Sequence, residues 1–298
     1  AFDQTLINPA EAYLDAGRYR WSAPSLASRK SAKAIITRSA TSAFNDVPHT
    51  GSMYYDSDDK RKIPALTIGA KSADELEILL KKQPVTGKLN TTSGTKGETV
   101  VHNVIAEIPG NRSKSIILIG AHLDSWDISE GAHDNGAGVV QVLEVLRIFK
   151  KLEIQNQHTL RFVLFANEEN GVHGGETYAA QVKKSGEKHL FAIESDAGGY
   201  SPRGISLDMI PQRRRQILAS KQLFLPYGVY DFSQETAAQD ILPLKKLGVP
   251  LAELVPDMQR YFDIHHTSED TFDKINRREL NLGAVALAQM VYLIDNSW

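Results

Sequence analysis

The pattern of apolar and polar positions changes character about a third of the way along the chain. Over the first ninety or so residues, short apolar runs alternate with turn-rich loops. The runs Ala34-Ile35-Ile36-Thr37 and Pro64-Ala65-Leu66-Thr67-Ile68 predict two strands. Leu76, Leu79 and Leu80 recur at helical spacing and predict a helix over 72–82, with Ser72 and Glu75 placed as a capping box. The polar stretch 90–97, Asn-Thr-Thr-Ser-Gly-Thr-Lys-Gly, predicts a linker or long turn.

Beyond it, strand and helix patterns alternate. Strands are expected at 100–108 and 115–120, on either side of the turn signal Pro109-Gly110-Asn111-Arg112, and then at 160–166, 190–194 and 251–255. Helices are expected at 136–152, 175–184, 212–223 and 238–247. The last, 278–295, is capped by Asn276 and lined by Leu280, Ala284, Leu287, Met290 and Val291. Segments 199–211 and 226–239 read as loops. Continuous apolar strands joined by helices imply an α/β fold with a central, mostly parallel twisted sheet covered by helices on both faces.

Composition narrows the chemistry. A length of 298 residues suits one large domain or two smaller ones, and 42% hydrophobic with 23% charged residues is ordinary for a globular protein. A net charge of −2 offers no field favouring nucleic acid or an anionic membrane, so neither is expected as a partner. No apolar run reaches the roughly 18 residues of a membrane span. With no cysteine, disulfides, thiolate metal sites and cysteine nucleophiles are excluded, so any metal must be held by His, Asp and Glu. The chain opens Ala1-Phe2-Asp3-Gln4, without the pattern of an intact signal peptide. The cysteine-free composition fits a secreted or periplasmic protein.

Candidate ligands gather where α/β sheets bind them, beyond the carboxyl ends of the strands. His122 and Asp124 follow the run 116–121, Glu168 and Glu169 follow 162–167, Asp196 follows 191–195, and His266 lies past the strand ending near Val255. Asp134 sits in Gly131-Ala132-His133-Asp134-Asn135-Gly136. Singly, each reads equally as a turn or loop residue; Asp134 is also a natural N-cap. Together they supply metal-competent groups and a spare carboxylate at one edge of the sheet.

The surrounding motifs resemble a known family. His122-Leu123-Asp124-Ser125-Trp126-Asp127, the Asp134 segment continued through Gly138, Asn167-Glu168-Glu169-Asn170-Gly171, Glu194-Ser195-Asp196-Ala197-Gly198 and His265-His266-Thr267-Ser268-Glu269-Asp270-Thr271 are similar to those of the co-catalytic di-zinc exopeptidases. This is the leucyl aminopeptidase and glutamate carboxypeptidase type, peptidase family M28. The likeness is nearest to its plasma glutamate carboxypeptidase (carboxypeptidase Q) branch. It implies a zinc-exopeptidase fold, two zinc ions per chain and a zinc metallo-exopeptidase, either aminopeptidase or dipeptidase. Asp134 would bridge the metals, His122 and Asp196 would complete one, Glu169 and His266 the other, and Glu168 would be the general base. Asp124 would accept the second ring N–H of His122. His265 would either donate to the oxyanion or simply pack beside the ligand loop. Asp270 would either orient His266 or cap the next turn.

The resemblance further implies a peptide or dipeptide substrate and allows a homodimer. Segments 32–39, 48–51 and 63–65 are similar to the later part of a protease-associated domain, which implies a partial domain of that type over 1–95 and a di-zinc peptidase domain over 96–298. The start of the family pattern does not appear, so the chain is expected to be the C-terminal portion of a longer protein. Two other readings stand beside the leading one: a mono-zinc enzyme of the glutaminyl-cyclase kind, and a non-catalytic, receptor-like relative.

Overall fold

The structure, a computed structural model, describes all residues except Ala1, Gln4, Ile7, Thr95 and Ala237. The chain divides into two compact units. Unit one comprises Ala1–Val100, Trp126–Ser129 and Phe262–Asp270; unit two comprises Val101–Ser125, Glu130–Tyr261 and Thr271–Trp298.

Unit one contains helix α1 (Pro9–Arg29), strands β1 (Ile35–Arg38) and β2 (Ala65–Ile68), and helix α2 (Ala70–Lys82). The two strands pair in parallel from Ile35 opposite Ala65 to Arg38 opposite Ile68. Helix α1 is absent from the sequence expectation. Asn8 caps it by accepting from the Ala10 N–H, and Pro9 occupies its first turn. The run Ser22-Ala23-Pro24-Ser25 reads as a breaker, and the buried positions include Gly17, Arg20 and Pro24 rather than an apolar stripe. The expected capping box on α2 does not form, because the helix starts two residues before Ser72. Its N-terminus is closed by the turn at Asn45 and Asp46, where the Asp46 carboxylate accepts from the Ser72 N–H at 3.2 Å and the Asn45 carbonyl from the Lys71 N–H at 3.0 Å.

Unit two holds β3 (Val104–Ile108), β4 (Ile116–His122), α3 (Ala137–Lys151), β5 (Thr159–Phe165), α4 (His173–Ser185), β6 (His189–Glu194), β7 (Pro202–Asp208), α5 (Pro211–Leu218) and β8 (Leu251–Pro256). After them come α6 (Met258–Ile264), which continues into the Phe262–Asp270 segment, and α7 (Arg277–Ser297). The sheet order is β3-β5-β4-β6-β8-β7, parallel through β5, β4, β6 and β8 with an antiparallel strand at each edge. Alternation on the strands feeds both faces. Ile117, Ile119, Leu160 and Phe162 pack with Val142, Val145, Leu287 and Val291 from α3 and α7. Leu118, Val163 and Phe165 pack on the other face with Tyr178, Val182, Ile241 and Leu244. The expected doubly covered α/β architecture is what forms.

Three local expectations fail for identifiable reasons. Residues 202–208 form β7 rather than a loop; Pro202 stands at the strand's first position and the strand lies at an edge, where proline is tolerated. The helix expected at 238–247 is only a 3-10 stretch, Leu242–Leu247, because an α-helix begun at 238 would carry Pro243 in its interior. The helix expected at 212–223 ends at Leu218 and gives way to 3-10 turns. The Asn276 cap on α7 forms as expected, accepting from the N–H groups of Arg278 and Glu279.

A polar cluster pins the amino end of β6. The Tyr178 hydroxyl donates to Nε2 of His189 at 2.7 Å and accepts from Arg161 at 3.0 Å, while Arg161 forms ion pairs with Glu107 and Glu187. Burial first, and then the charge of Arg161, lower the His189 pKa to about 4. This folded value lies below the ordinary 6.5. Between the two, the unfolded chain takes up a proton that the folded chain refuses, so stability falls as pH drops through that window. Urea unfolding at about pH 7 and about pH 5 should register the loss, and His189→Gln should shrink it by up to roughly 2 kcal/mol. Identical pH sensitivity in the two proteins would remove His189 as its source.

Candidate metal centre

Three neighbouring parallel strands of unit two, β5, β4 and β6, end at one edge and deliver the expected residues there. His122 is the last residue of β4, Glu168 and Glu169 follow β5, and Asp196 follows β6. Asp134 arrives on the irregular turn Ala132–Gly136, which leads into α3; its peptide bond to Asn135 is cis. Asn135 straps this turn to the Asp196 turn, donating to the Ser195 carbonyl at 2.9 Å and accepting from the Gly138 N–H at 3.0 Å. A Cβ on Gly138 would lie 2.2 Å from both the Asn135 Oδ1 and the Ser195 carbonyl oxygen, so only glycine permits the strap.

The core of the site is a triad of His122, Asp134 and Asp196. Nε2 of His122 lies 3.2 Å from Asp134 Oδ1 and 2.9 Å from Asp196 Oδ1. Nδ1 of the same ring lies 2.9 Å from the backbone carbonyl oxygen of Asp124. A carbonyl only accepts, so Nδ1 carries a hydrogen, and Nε2 is the ring atom that faces the two carboxylates. Three lone-pair donors facing one another, with the His122 side chain 1% exposed, require either a proton or a cation between them. Burial alone would lower the His122 pKa, but Asp196 and Asp134 outweigh it and hold it well above the ordinary value. One imidazole nitrogen and carboxylate oxygens within 4.8 Å of one another form a donor set that suits zinc. The residues present fit the metal that the motifs imply.

Asp124 supports this site differently from the expectation. Its backbone carbonyl, not its carboxylate 3.8 Å away, takes the Nδ1 hydrogen of His122. The carboxylate instead accepts from the backbone N–H groups of Glu168 at 3.0 Å and Glu169 at 3.3 Å. Adjacent residues on an extended segment face opposite ways. Here Asn167 adopts φ +60° and the Glu168 carbonyl accepts from Gly171 and Val172, so the pair rides a tight turn held by Asp124. Burial, and after it the charge of Asp196, push the Glu168 carboxyl up to about 9.

Three acidic residues not among the expected ligands couple electrostatically to the triad through Asp196. Glu194 and Asp240 are buried, and Glu253 is the register partner of Glu194 across β6 and β8. Burial and then the neighbouring Asp240 and Asp196 charges raise Glu194 well above the carboxylate range. Burial is also the leading cause that brings Asp240 to about 7 and Glu253 to about 8, with Asp196 again contributing. A glutamate at the end of an otherwise apolar strand, spaced two from Asp196, was the available signal. His133, not expected to be a ligand, accepts from the Gly199 N–H at 3.0 Å through Nδ1 and stacks on Tyr200.

His265 and His266 belong to unit one. Nδ1 of His266 lies 3.3 Å from the Thr50 carbonyl oxygen, so it donates there and Nε2 is the lone-pair nitrogen, the same tautomer as His122. His266 stands at φ +60°. The His265 ring stacks on His266 with centroids 3.5 Å apart and meets Tyr13 and Phe262 edge-on.

The family model "Peptidase family M28" matches residues 103–291. Carboxypeptidase Q of Xenopus laevis is 31% identical over 287 residues, 95% of this chain and 60% of that protein. A crystal structure of a peptidase M28 precursor from Shewanella amazonensis SB2B superposes with a TM-score of 0.88 at 34% identity, covering 96% of this chain and 65% of the other. The zinc aminopeptidase BSAP from Bacillus subtilis shares the fold at a TM-score of 0.61 and 21% identity, over 88% of this chain and 63% of its own. The chain thus spans about 60% of the length of the curated relatives it matches.

An asparagine at position 124 can accept only one of the two N–H groups that the carboxylate holds. Asp124→Asn is therefore expected to weaken zinc binding roughly 10- to 100-fold, read by competition with a chromophoric chelator. Unchanged affinity would mean that the Glu168–Glu169 turn holds its position without that clamp.

Proposed function

The chain belongs to peptidase family M28, and on that premise we propose that it is a zinc-dependent exopeptidase, an aminopeptidase or dipeptidase that hydrolyses peptide bonds near a free terminus. The observation that carries this reading is the buried convergence of His122, Asp134 and Asp196 with the Glu168 carboxyl on the adjoining turn. The names of the relatives, carboxypeptidase Q and zinc aminopeptidase, support peptide substrates and zinc.

In this proposal His122, Asp134 and Asp196 hold one zinc, and Asp134, Glu169 and His266 hold a second, giving two ions per chain. Zinc, when bound, supplies Lewis acidity and lowers the pKa of water. Glu168 takes the proton of the attacking water and returns it to the leaving amine. Without metal its carboxyl, at about 9, holds its proton at neutral pH; positive charge nearby favours the ionised form that a base must have. Asp124 fixes the turn that aims Glu168, and His265 donates to the oxyanion. Residues 1–95 are read as a partial protease-associated domain and 96–298 as the peptidase domain. The chain is read as a secreted or periplasmic protein, and the family resemblance allows a homodimer.

Glu168→Gln preserves the shape of the side chain and removes the base. It should keep its zinc by elemental analysis and lose roughly 10²- to 10⁴-fold in turnover of amino-acid arylamides and dipeptides. Turnover close to wild type would show that another group is the base, and loss of zinc would make Glu168 a ligand. One zinc per fully active chain would replace the two-ion assignment with a mono-zinc site. Hydrolysis of N-blocked dipeptides would move the reading to a carboxypeptidase.

A further inference from the structure

Unit one contains a cavity of about 310 Å³, lined from α1, β1, β2, the loop around Thr50 and Ile128. Its apolar walls include Pro24, Met53, Leu66 and Ile128. The hydroxyls of Thr37 and Thr67, also on the wall, are committed to the Leu66 and His49 carbonyls. Arg20 is the one charged residue among those lining it.

Arg20 is 8% exposed, and no carboxylate lies within ion-pair distance of it among the described residues. Nη1 donates to the Thr50 carbonyl at 2.9 Å and Nη2 to the Tyr13 hydroxyl at 2.7 Å, while Nε has no partner among the described residues. Two of its five N–H donors are therefore used. The Tyr13 and Trp21 rings, 5.6 and 5.9 Å from the guanidinium carbon, stabilise the charge only partly. Gly51, at φ +142°, gives the guanidinium room: a Cβ there would lie 2.4 Å from the Arg20 Cζ. Two neutral acceptors do not offset the desolvation of a buried guanidinium; an anion in the cavity does.

The geometry points to a binding site in unit one for a small monocarboxylate with an apolar body, its carboxylate on Arg20 and its hydrocarbon against Pro24, Met53, Leu66 and Ile128. The volume lies at the lower end of small-molecule pockets, which sets the size of the occupant near that of a short branched acid. The site uses none of the side chains assigned to the proposed hydrolysis; the Thr50 carbonyl that holds Arg20 also accepts from Nδ1 of His266, and Tyr13 meets the His265 ring edge-on.

The test is calorimetric titration of the zinc-loaded chain with isovalerate, with its isosteric amide isovaleramide, and with inorganic phosphate. The expected result is saturable binding of isovalerate, with the amide weaker by roughly 10- to 100-fold, the difference a charge-assisted hydrogen bond makes. Arg20→Met, checked for folding by circular dichroism, should reduce isovalerate binding to the level of the amide. Equal binding of acid and amide to the wild-type chain would overturn the proposal without recourse to the variant. So would full isovalerate affinity in folded Arg20→Met, which would locate the acid at the zinc ligands. A preference for phosphate, or no saturable binding of isovalerate, would also overturn it.

Discussion

Two carboxylate oxygens approach the same buried imidazole nitrogen within 3.2 Å, and the acidic groups near them feel the demand this makes for positive charge. Asp196 is the centre of that demand. Its charge contributes to the upward shifts of Glu168, Glu194, Asp240 and Glu253, and it raises His122 in the same way. Without a metal the cluster lowers its charge by keeping protons on the surrounding carboxyls, because like charges at close range in a poorly solvated site cannot all persist. A divalent cation would reverse the balance, favouring the ionised form of the carboxyls around it.

Backbone groups do much of the positioning. The Asp124 carbonyl sets the tautomer of His122, and the Thr50 carbonyl does the same for His266. Because the carbonyl serves the imidazole, the Asp124 carboxylate remains available to hold the two N–H groups of the Glu168–Glu169 turn. Asp124, two residues past β4, thus orients His122 through its main chain and holds the Glu168–Glu169 turn through its side chain. A carboxylate bonded only to the imidazole would do the first and leave the turn unheld.

The legible parts of this site were those that follow from strand patterning. Continuous apolar runs announced β4, β5 and β6, and the polar residues just beyond each run could be read as lying at one edge. Helix α1 was hidden by Pro24 and by a buried face made of Gly17, Arg20 and Pro24, which has no apolar periodicity. Strand β7 was hidden by its proline and glycine, tolerated because it lies at an edge. The N-terminus of α2 takes its acceptor from Asp46, and no local window contains a partner 26 residues away. The buried carboxyls coupled to the triad were masked because Glu194 reads as the polar end of a strand, and Asp240 becomes part of the cluster only through tertiary packing.

Each unit encloses a buried group of charges dominated by one sign. In unit two the excess is negative, with acidic groups crowding one histidine; in unit one it is positive, a single guanidinium held by neutral acceptors. Replacing such charges with apolar residues of similar size would often leave a fold equally or more stable. Their presence is therefore poorly explained by stability alone. It is explained by ligands of the opposite sign: a cation that completes the first arrangement and an anion that completes the second. On this view the conformational restraints around each, glycine at 138 in one and at 51 in the other, keep open the backbone approach that a ligand-ready charge requires.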